Sequence, residues 1–390
     1  MKSNPIFNLS IPTKLFFGWG ELKRLSSEKL PGKKALLVIS AGNSMRKFGY
    51  VQRVQELLSS NNVTSIIFDK VQQNPVKSHV MEAAALCREE KCDFVIGLGG
   101  GSSIDTAKAI AVMVCNEGDL WDYVSGGTGK GQPVEKALPI VAISTTAGTG
   151  TEMDPWLVIT DEKTKEKMGI GFRPFTFPVL SIVDPELMIS VPPVYTAYQG
   201  FDAFFHAAEG YIANIATPIS DLYAREAIRL LYKYLPQAVN DGNNREARAK
   251  VAWASTLAGM VESTSSCISE HGIEHALSAY YPNLPHGAGL IAISEAYFET
   301  FRNDCMKRYM KMAETMTEKK SCRPSDFIDA LRIMKKACGM DNIKLSDWGI
   351  KHEDLPKIVE KARYAAGSTF KLDPRPMSDD ELMSILENSL

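Results

Sequence analysis

The chain carries few histidines, and most of them fall in one region at a spacing suited to binding a metal ion. Four of its six histidines lie between positions 206 and 286. Asp202 and His206 are four residues apart, so on a helix their side chains project from one face and can reach the same ion. His271 and His275 share this spacing. Each pair can therefore supply two donors to one site.

A further imidazole can join these pairs from a turn. His286 follows a segment containing Pro282 and Pro285, which end the preceding helix and allow a loop to return to the site. A carboxylate combined with imidazoles suits a divalent first-row metal and can leave one coordination position for a substrate oxygen. A single acid and histidine pair is more often an ordinary helix-surface pair, but two pairs and a turn histidine in a histidine-poor chain favour a metal site. Spacing alone leaves open which of His271, His275 and His286 bind the ion.

A glycine-rich turn earlier in the chain suits a phosphate. Gly99, Gly100 and Gly101 follow a short apolar segment, and Ser102 begins a helical pattern. Glycines allow the backbone to approach a ligand closely, and the N–H groups of a first helical turn favour an anion such as a pyrophosphate. The turn is not a G-x-G-x-x-G fingerprint and follows the third predicted strand, so an ordinary Rossmann assignment does not apply. The alternative is a tight strand-to-helix turn without a ligand.

A second polar loop has the same position relative to a strand. Residues Ser144–Glu152, which include Thr145, Thr146 and Thr149, follow an apolar segment and combine hydroxyl groups with glycines. Two such loops at the carboxyl ends of strands are expected where a nucleotide crosses the crevice of an open sheet. The alternative is a polar loop that only caps a helix.

The elements that must position these residues differ between the two halves of the chain. In the first half, short apolar segments with β-branched residues alternate with amphipathic helical patterns, which predicts a parallel sheet covered on both faces. The predicted strands are Ala35–Ser40, Thr64–Asp69, Asp93–Leu98 and Pro139–Ser144, and the predicted helices are Met45–Ser59, Ser78–Glu90 and Ser103–Val114. The glycine-rich segment Ser125–Gly131 is interpreted as a surface loop.

Beyond Pro192 the pattern becomes helical. Strand signals are scarce there, and apolar residues recur at helical spacing, as at Ile228, Leu231 and Leu235. The predicted helical windows are Ile219–Leu235, Ala249–Glu262, Ala288–Phe301, Pro324–Lys336 and Asp379–Glu387. We therefore predict an α/β dinucleotide-binding domain with a parallel sheet over residues 1–191 and an all-α metal-binding and catalytic domain over residues 192–390.

Composition excludes several classes of partner. The formal net charge is -2 and 45% of the residues are hydrophobic, so we expect neither nucleic acid nor a membrane as a partner. The seven cysteines include no C-x-x-C pair, which is typical of free thiols in a reducing compartment. The sequence contains no pattern of a signal peptide or a membrane span, and we expect a cytoplasmic protein.

Four ordered motifs together resemble the iron-containing, group III metal-dependent alcohol dehydrogenases. They are Gly-Gly-Gly-Ser-Ser-Ile-Asp-Thr-Ala-Lys at 99–108, Ser-Thr-Thr-Ala-Gly-Thr-Gly-Thr-Glu at 144–152, Gly-Phe-Asp-Ala-Phe-Phe-His-Ala-Ala-Glu at 200–209, and His-Gly-Ile-Glu-His at 271–275 with Leu-Pro-His-Gly at 284–287. The resemblance runs from residue 12 to residue 376. It implies the dehydroquinate synthase-like fold of that family, in which a helical domain closes over the nucleotide-binding domain with the active site in the cleft.

The resemblance also implies roles for individual residues. The implied metal ligands are Asp202, His206, His271 and His286. His275 is implied to lie beside the metal as a proton-relay or orienting group. The implied dinucleotide contacts are Gly42, Ser44, Asn74, Gly100, Gly101, Ser102, Asp105, Thr145, Thr146, Thr149 and Lys167, with Asp105 bracing the turn. The metal is expected to be Fe2+ or Zn2+, because mixed imidazole and carboxylate ligation accepts both, and the family habit suggests a homodimer or a higher homo-oligomer.

Three features depart from the common pattern of the family. Phe204 and Phe205 replace residues that are commonly Leu and Thr, and the segment between His275 and His286 is slightly longer than in common members. The third departure is the loop Ser40–Ser44, which has Gly-Asn-Ser where NAD-preferring members tend to carry an aspartate.

This loop bears on the choice of cofactor. An acidic side chain accepts from the ribose 2′-hydroxyl but repels a 2′-phosphate, so a loop without an acid, followed by Arg46 and Lys47, favours NADP over NAD. Asp69, at the end of the second predicted strand, is the competing feature because an acid there can also reach a ribose.

The pyrophosphate turn and the metal cluster together predict an NAD(P)-dependent alcohol dehydrogenase that interconverts a primary alcohol and an aldehyde by hydride transfer. The alternative is a lyase of the dehydroquinate synthase-like superfamily, which oxidises and re-reduces its nucleotide within one cycle. Such a lyase needs basic residues for a phosphorylated, carboxylated substrate. Apolar and aromatic residues surround the metal motifs here, among them Phe201, Tyr211 and Tyr280, which favours a small neutral alcohol or aldehyde. Butanol-like alcohols, propanediols, lactaldehyde and longer aldehydes all fit this pattern.

Overall fold

Strands that are apolar on both faces build a parallel sheet in the first part of the chain. The structure, a computed structural model, describes residues 6–390. They divide into a unit of Ile11–Ser190 and a unit of Val191–Leu390, the second also including the segment that ends at Ser10. The strands are β1 (Lys14–Phe17), β2 (Lys34–Ser40), β3 (Thr64–Val71), β4 (Phe94–Gly99), β5 (Ile140–Ser144), β6 (Trp156–Asp161), β7 (Glu166–Gly171) and β8 (Leu180–Val183).

Six of these strands form one sheet in the order β1-β8-β5-β4-β2-β3, and all of its pairs are parallel. Every residue of β4, β5 and β8 is buried, which is expected of a parallel sheet covered on both faces. The helices of this unit are α1 (Ser44–Lys47), α2 (Tyr50–Ser60), α3 (Lys77–Glu89) and α4 (Gly101–Cys115). In the β4–β5 register Gly99 lies opposite Ser144, so the two loops that follow begin side by side.

The predicted fold class is confirmed, with differences in detail. The four predicted strands correspond to β2, β3, β4 and β5, whereas β1, β8 and the antiparallel β6–β7 hairpin were not predicted. The prediction of one helix over Met45–Ser59 was wrong. Gly49 adopts φ +72 there, in the left-handed region, and separates α1 from α2.

The second unit is entirely helical in its regular structure, as predicted. Its helices are α5 (Pro193–Ile212), α6 (Pro218–Asn240), α7 (Arg245–Thr264), α8 (Ser269–Tyr280), α9 (His286–Thr300), α10 (Met306–Thr317), α11 (Ser325–Ala337), α12 (Leu355–Phe370) and α13 (Asp379–Glu387). The five predicted helical windows correspond to α6, α7, α9, α11 and α13.

Helix α5 runs through the core of this unit because its central residues are small or aromatic. A Cβ on Gly200 would lie 2.2 Å from the side chain of Leu235, so the glycine allows α5 and α6 to approach closely. Phe204 stacks on Phe327, and Phe205 stacks on Phe298. Both phenylalanines of α5 are fully buried. The two phenylalanines that depart from the family pattern therefore belong to the packed core.

Among residues 6–390, no helix combines the length and the apolar composition needed to cross a membrane. The seven cysteines all lie in this range and are free thiols.

The segment Ser125–Gly131 is a loop with mostly exposed residues, as predicted, but it is held in place. Buried Glu166 accepts hydrogen bonds from the Thr128 amide at 3.1 Å and from the Trp121 indole at 3.0 Å. The loop is therefore attached to β7, the strand that carries Lys167.

Candidate metal centre and nucleotide site

Two donors of the candidate metal centre come from one face of α5. Asp202 and His206 lie about one helical turn apart, and both are buried. Nδ1 of His206 lies 3.7 Å from Oδ1 of Asp202. The ring of His206 also stacks on the ring of His271 from α8, with centroids 4.3 Å apart. Helix α5 therefore brings a carboxylate and an imidazole to the point where a second helix supplies another imidazole.

Two imidazoles from other helices converge on the same carboxylate oxygen. Nε2 of His271 and Nε2 of His286 each lie 3.4 Å from Oδ1 of Asp202. Donor atoms of these three residues all lie within 4.8 Å of one another. Two donors that bind one ion at about 2.1 Å with nearly tetrahedral angles are separated by about 3.4 Å. The donor set and its spacing therefore fit a divalent metal ion.

Two further carboxylates hold the histidines from their other side. Nδ1 of His271 forms a hydrogen bond with Oε1 of Glu209, and Nδ1 of His286 forms one with Oε2 of Glu274. Both glutamates are fully buried. An imidazole that binds a metal through Nε2 keeps its proton on Nδ1, and a carboxylate at that proton fixes both the tautomer and the ring orientation.

Sequence reasoning gave these two glutamates no role. Glu209 lies three residues after His206, and Glu274 lies three residues after His271, so a repeated His-x-x-Glu spacing was present as a signal. Each glutamate nevertheless binds a histidine of another helix, which local spacing does not indicate.

The N-terminus of α8 is held by two buried carboxylates. Oε2 of Glu209 accepts from the backbone N–H of Ile268 at 2.7 Å, and Oδ1 of Asp373 accepts from the N–H of Ser269 at 3.1 Å. Negative groups at a helix N-terminus satisfy free N–H groups and interact favourably with the helix dipole. Burial raises the pKa of Asp373 to about 7. Glu209 therefore orients the imidazole of His271 and also fixes the start of the helix that carries it.

The charges in the centre favour a cation. Burial works against ionisation of Asp202, yet the facing imidazoles, led by His206, hold the pKa of this carboxyl well below its usual range. Burial likewise opposes the charged form of His271, but the carboxylates of Glu209 and Asp202 raise the pKa of this imidazole well above its usual value. Both pKa shifts have the same cause, which is that buried carboxylates and imidazoles at this point stabilise each other's charged forms, and metal binding at such a site releases protons from its ligands.

His275 lies beside the cluster and is half-buried on α8. Its ring centroid is 5.6 Å from that of His286 and 6.4 Å from that of His271. Donor atoms of Glu274, His275 and His286 also lie within 4.8 Å of one another. Since Glu274 already binds Nδ1 of His286, we interpret this second group as support for the first set of donors.

The position of His286 depends on the glycine that follows it. His286 is the first residue of α9, and a Cβ on Gly287 would lie 2.2 Å from the backbone oxygen of Tyr198 in α5. Real Cβ atoms do not approach backbone oxygens this closely, so the Pro-His-Gly sequence allows the start of α9 to lie directly against α5.

The glycine turn and the second polar loop lie side by side in the sheet unit. A Cβ on Gly100 would lie 3.0 Å from the side chain of Thr146, and one on Gly101 would lie 2.5 Å from that of Thr149. Helix α4 begins at Gly101, and its N-terminus has no side-chain cap. Backbone N–H groups and threonine hydroxyls are therefore grouped where a helix N-terminus favours an anion.

Asp105 braces this arrangement from the first turns of α4. Its Oδ1 accepts from the hydroxyl of Thr151 at 2.6 Å, and its Oδ2 accepts from the backbone N–H of Val158 at 2.9 Å. It is buried, and both oxygens bind protein groups. Asp105 therefore supports the loop and does not present a free carboxylate to a ligand.

Two other predicted cofactor residues lie on segments that are connected through β6. Asn74 adopts φ +54 between β3 and α3, and the backbone oxygen of the next residue, Pro75, accepts from the N–H of Thr160 at 2.8 Å. Thr160 pairs with Lys167 across the β6–β7 hairpin.

The remaining predicted cofactor residues flank the strand ends. Thr145 follows β5, and its N–H donates to the backbone oxygen of Gly99 at 2.9 Å. Ser102 lies in the first turn of α4. Gly42 lies between β2 and α1, Ser44 is the first residue of α1, and both are exposed.

Two family models match the chain. The model described as iron-containing alcohol dehydrogenase matches residues 12–185, and the model described as the C-terminal part of the Fe-containing alcohol dehydrogenase family matches residues 196–390. Together they cover nearly the whole chain.

Individual relatives are similar over their full length. The chain is 34% identical to the probable NADH-dependent butanol dehydrogenase 1 of Bacillus subtilis, covering 97% of this chain and 98% of the relative. It is also 34% identical to the 1,3-propanediol dehydrogenase of Klebsiella pneumoniae, covering 98% and 99%. The crystal structure of an archaeal halo-thermophilic Red Sea brine pool alcohol dehydrogenase superposes with a TM-score of 0.95 at 32% identity, covering all of both chains.

The first prediction concerns Glu209. Replacing it with Gln removes the negative charge at Nδ1 of His271 and at the start of α8, so we expect metal affinity to fall by about 10- to 100-fold. The measurement is metal retention during titration with a chelator. The matched control is Glu299→Gln, because Glu299, on α9, forms an exposed ion pair with Arg302 just beyond the end of that helix. Equal retention by both variants and the unmodified protein would contradict the role of Glu209.

The second prediction concerns Gly287. Gly287→Ala forces α9 away from the backbone of α5, so we expect it to displace His286, weaken metal binding and destabilise the fold by about 1–3 kcal/mol. Thermal unfolding and metal content measure these effects. Gly367→Ala is the control, because a Cβ at that helical glycine meets no heavy atom within 4 Å. Equal stability and equal metal content in the two variants would contradict the proposal that Gly287 sets the position of His286.

Proposed function

The chain belongs to the iron-containing alcohol dehydrogenase family and interconverts an alcohol and an aldehyde, and we propose that four converging side chains bind its divalent metal ion: Asp202, His206, His271 and His286. The relatives are named as dehydrogenases, which favours this activity over the dehydroquinate synthase-like lyase. The observation that best supports the metal assignment is that two imidazole nitrogens lie 3.4 Å from one oxygen of Asp202.

The protein's own groups prepare this centre for the reaction. When bound, a divalent ion supplies Lewis acidity, which polarises a carbonyl during reduction and favours loss of the alcohol proton during oxidation. Glu209 and Glu274 hold the Nδ1–H groups of two histidines, so that both Nε2 atoms stay directed at Asp202. Iron is the ion we propose from the family description, and zinc is the alternative that suits the same donors.

The dinucleotide is assigned to the sheet unit. We propose that the pyrophosphate binds the N–H groups of Gly100–Ser102 and the hydroxyls of Thr146 and Thr149, with further contacts from Gly42, Ser44, Asn74, Thr145 and Lys167. The nicotinamide carries the hydride, and the protein supplies its orientation. Asp105 braces the loop in this scheme.

His275 is our candidate for moving the proton. It is half-buried and its ring centroid lies 5.6 Å from that of His286, so it is close to the proposed metal ligands. A neutral imidazole can accept the proton released from an alcohol and pass it towards solvent.

The substrate class follows from the relatives. Those described above are named for butanol and 1,3-propanediol, and we propose a small primary alcohol and its aldehyde as the substrate pair. The cytoplasmic location and the homo-oligomeric state expected from the sequence stay predictions.

The preference for NADP also stays a prediction, and one ion pair supports it. Arg46 donates to the carboxylate of Asp69 at 2.7 Å. The positive guanidinium reduces the negative charge that Asp69 would otherwise present to a 2′-phosphate. The Bacillus subtilis relative is named as NADH-dependent, so the choice of cofactor has to be measured on this chain.

The third prediction tests the metal centre. Because His206→Ala removes one of the four proposed ligands, we expect turnover to fall by more than about 100-fold and metal content to drop. Affinity for the dinucleotide should be retained, since its proposed contacts lie in the sheet unit. Elemental analysis, assays with an alcohol and aldehyde panel under both cofactors, and dinucleotide fluorescence measure these properties.

The control for this variant is His352→Ala. His352 is exposed and pairs with Glu387, so its removal should leave activity and metal content unchanged. Full turnover by His206→Ala protein that lacks metal would contradict the proposed centre.

The fourth prediction tests the cofactor preference. Arg46→Ala leaves Asp69 without its cation, so we expect the kcat/KM ratio of NADPH to NADH to fall by about fivefold. Asp69→Asn should raise the ratio. The control is Arg53→Ala, which removes another half-exposed ion pair of the same unit, with Glu186. Unmodified protein that prefers NADH would show the NADP prediction to be wrong, and an unchanged ratio in Arg46→Ala would contradict the role of the Arg46–Asp69 ion pair.

A further inference from the structure

Lys108 is a fully buried lysine in the helix that begins at the glycine turn. Its ammonium group donates to the hydroxyl of Thr151 at 2.6 Å and to the backbone oxygen of Trp156 at 2.6 Å. It also donates to the backbone oxygen and the carboxylate of Asp154, at 2.9 and 3.1 Å. All four acceptors belong to residues 151–156, at the end of the second polar loop and just beyond it, so one side chain of α4 holds this segment.

These contacts use the full donor capacity of the ammonium group. A lysine has three N–H donors, and burial without partners would be costly, so all three are expected to remain bound to the protein. Lysines in glycine-rich strand-turn-helix motifs often bind phosphates directly. Lys108 lies seven residues beyond Gly101, which is about 10 Å along the helix. The N–H donors of Lys108 are therefore used by groups in the protein interior.

Lys108 and Asp105 act on the same hydroxyl. They are three residues apart on one face of α4, and Thr151 accepts from Lys108 while it donates to Asp105 at 2.6 Å. Asp154 is fixed in turn, because its carboxylate also accepts from the N–H of Trp156 at 2.7 Å. Asp105 and Lys108 thus both hold Thr151, at the start of the segment 151–156, and Lys108 also holds Trp156 at its end.

The consequence concerns the earlier part of the second polar loop, which contains Thr146 and Thr149. Thr146 and Thr149 lie within 3.0 Å of the positions that Cβ atoms would occupy on Gly100 and Gly101. A small movement of residues 149–151 would therefore change the spacing between the threonine hydroxyls and the glycine turn. The side chains that set this spacing are those that bind Thr151.

We propose that Lys108 is a positioning residue for the dinucleotide: it holds the loop 144–152 against the glycine turn and does not itself contact a phosphate. This inference rests on the proposed dinucleotide site. Lys108, the last residue of the motif at 99–108, thereby has a role in dinucleotide binding. Its substitution is expected to weaken dinucleotide binding and to leave the metal centre intact.

The test is Lys108→Met, which keeps an unbranched side chain of similar length and removes the ammonium group. We expect the dissociation constant for NAD(P)H, measured by nicotinamide fluorescence, to rise by about tenfold or more. Metal content and the KM for the alcohol at saturating cofactor should be unchanged. A fluorescence titration over a range of salt concentrations should show the same fold loss throughout, because no phosphate contact has been removed.

The matched control is Lys335→Met. Lys335 is also buried, and its ammonium group binds Glu295 at 2.7 Å and the backbone oxygen of Ile291 at 3.1 Å in the helical unit. This variant also loses a buried lysine but should keep the dinucleotide dissociation constant. An equal loss of dinucleotide affinity in both variants would mean that Lys108 acts only through general stability, and it would overturn the inference.

A second pair of variants covers failure of Lys108→Met to fold. Thr151→Val removes the shared hydroxyl at nearly constant shape, whereas Thr151→Ser retains it. We expect Thr151→Val to bind the dinucleotide more weakly than the unmodified protein. Thr151→Ser should bind it nearly as tightly as the unmodified protein. Equal affinities in this pair would contradict the proposal.

Two further outcomes separate this inference from the proposed function. If Lys108→Met binds NAD(P)H as tightly as the unmodified protein, or if its loss of affinity shrinks as salt is raised, Lys108 is not a positioning residue. If the unmodified protein binds no dinucleotide, the proposed function itself fails, and this inference fails with it.

Discussion

The helical unit depends on the balance of buried charge around Asp202. Asp202, Glu209 and Glu274 are nearly or completely removed from water, and each faces an imidazole. A buried ion without a partner costs several kcal/mol, and removing one member of such a group leaves another charge uncompensated. Helices α5, α8 and α9 supply the members jointly, so their relative positions are coupled to the charge balance. A divalent cation would add positive charge beside these buried carboxylates.

This coupling explains which parts of the centre the sequence could predict. Asp202 and His206 are on one helix, so their spacing directly indicated a shared face. His271 and His286 come from different helices, and only the fold shows that both Nε2 atoms approach the same oxygen. The glutamates were missed for a related reason. Local spacing suggests that Glu209 binds His206, whereas it binds the ring of His271 and the backbone N–H of Ile268, the residue before α8.

The sheet unit was predictable where its strands contain a continuous run of buried apolar residues, as in Ala35–Ile39 of β2 and in β4. Strands β1 and β8 have four residues each, too short for a periodic signal, and β1 is an edge strand with an exposed first residue. The helix predicted over Met45–Ser59 was broken by backbone conformation at Gly49, because a single glycine can take φ +72 without disturbing the hydrophobic pattern around it. Periodicity reports which face is buried and carries little information on such local breaks.

The dinucleotide site and the metal centre depend on different interactions, so amino-acid substitutions affect them differently. The glycine turn offers backbone N–H groups, so its precision comes from packing, with threonine side chains in contact distance of Gly100 and Gly101. Asp105 and Lys108 of α4 influence that packing, and their substitution is expected to change the spacing between the threonines and the glycine turn gradually. The metal centre instead combines ionised groups away from water, where loss of one charge affects every neighbour. Sequence change is therefore expected to tune cofactor binding gradually in the sheet unit, whereas a change among the acids and imidazoles of the helical unit alters the whole centre.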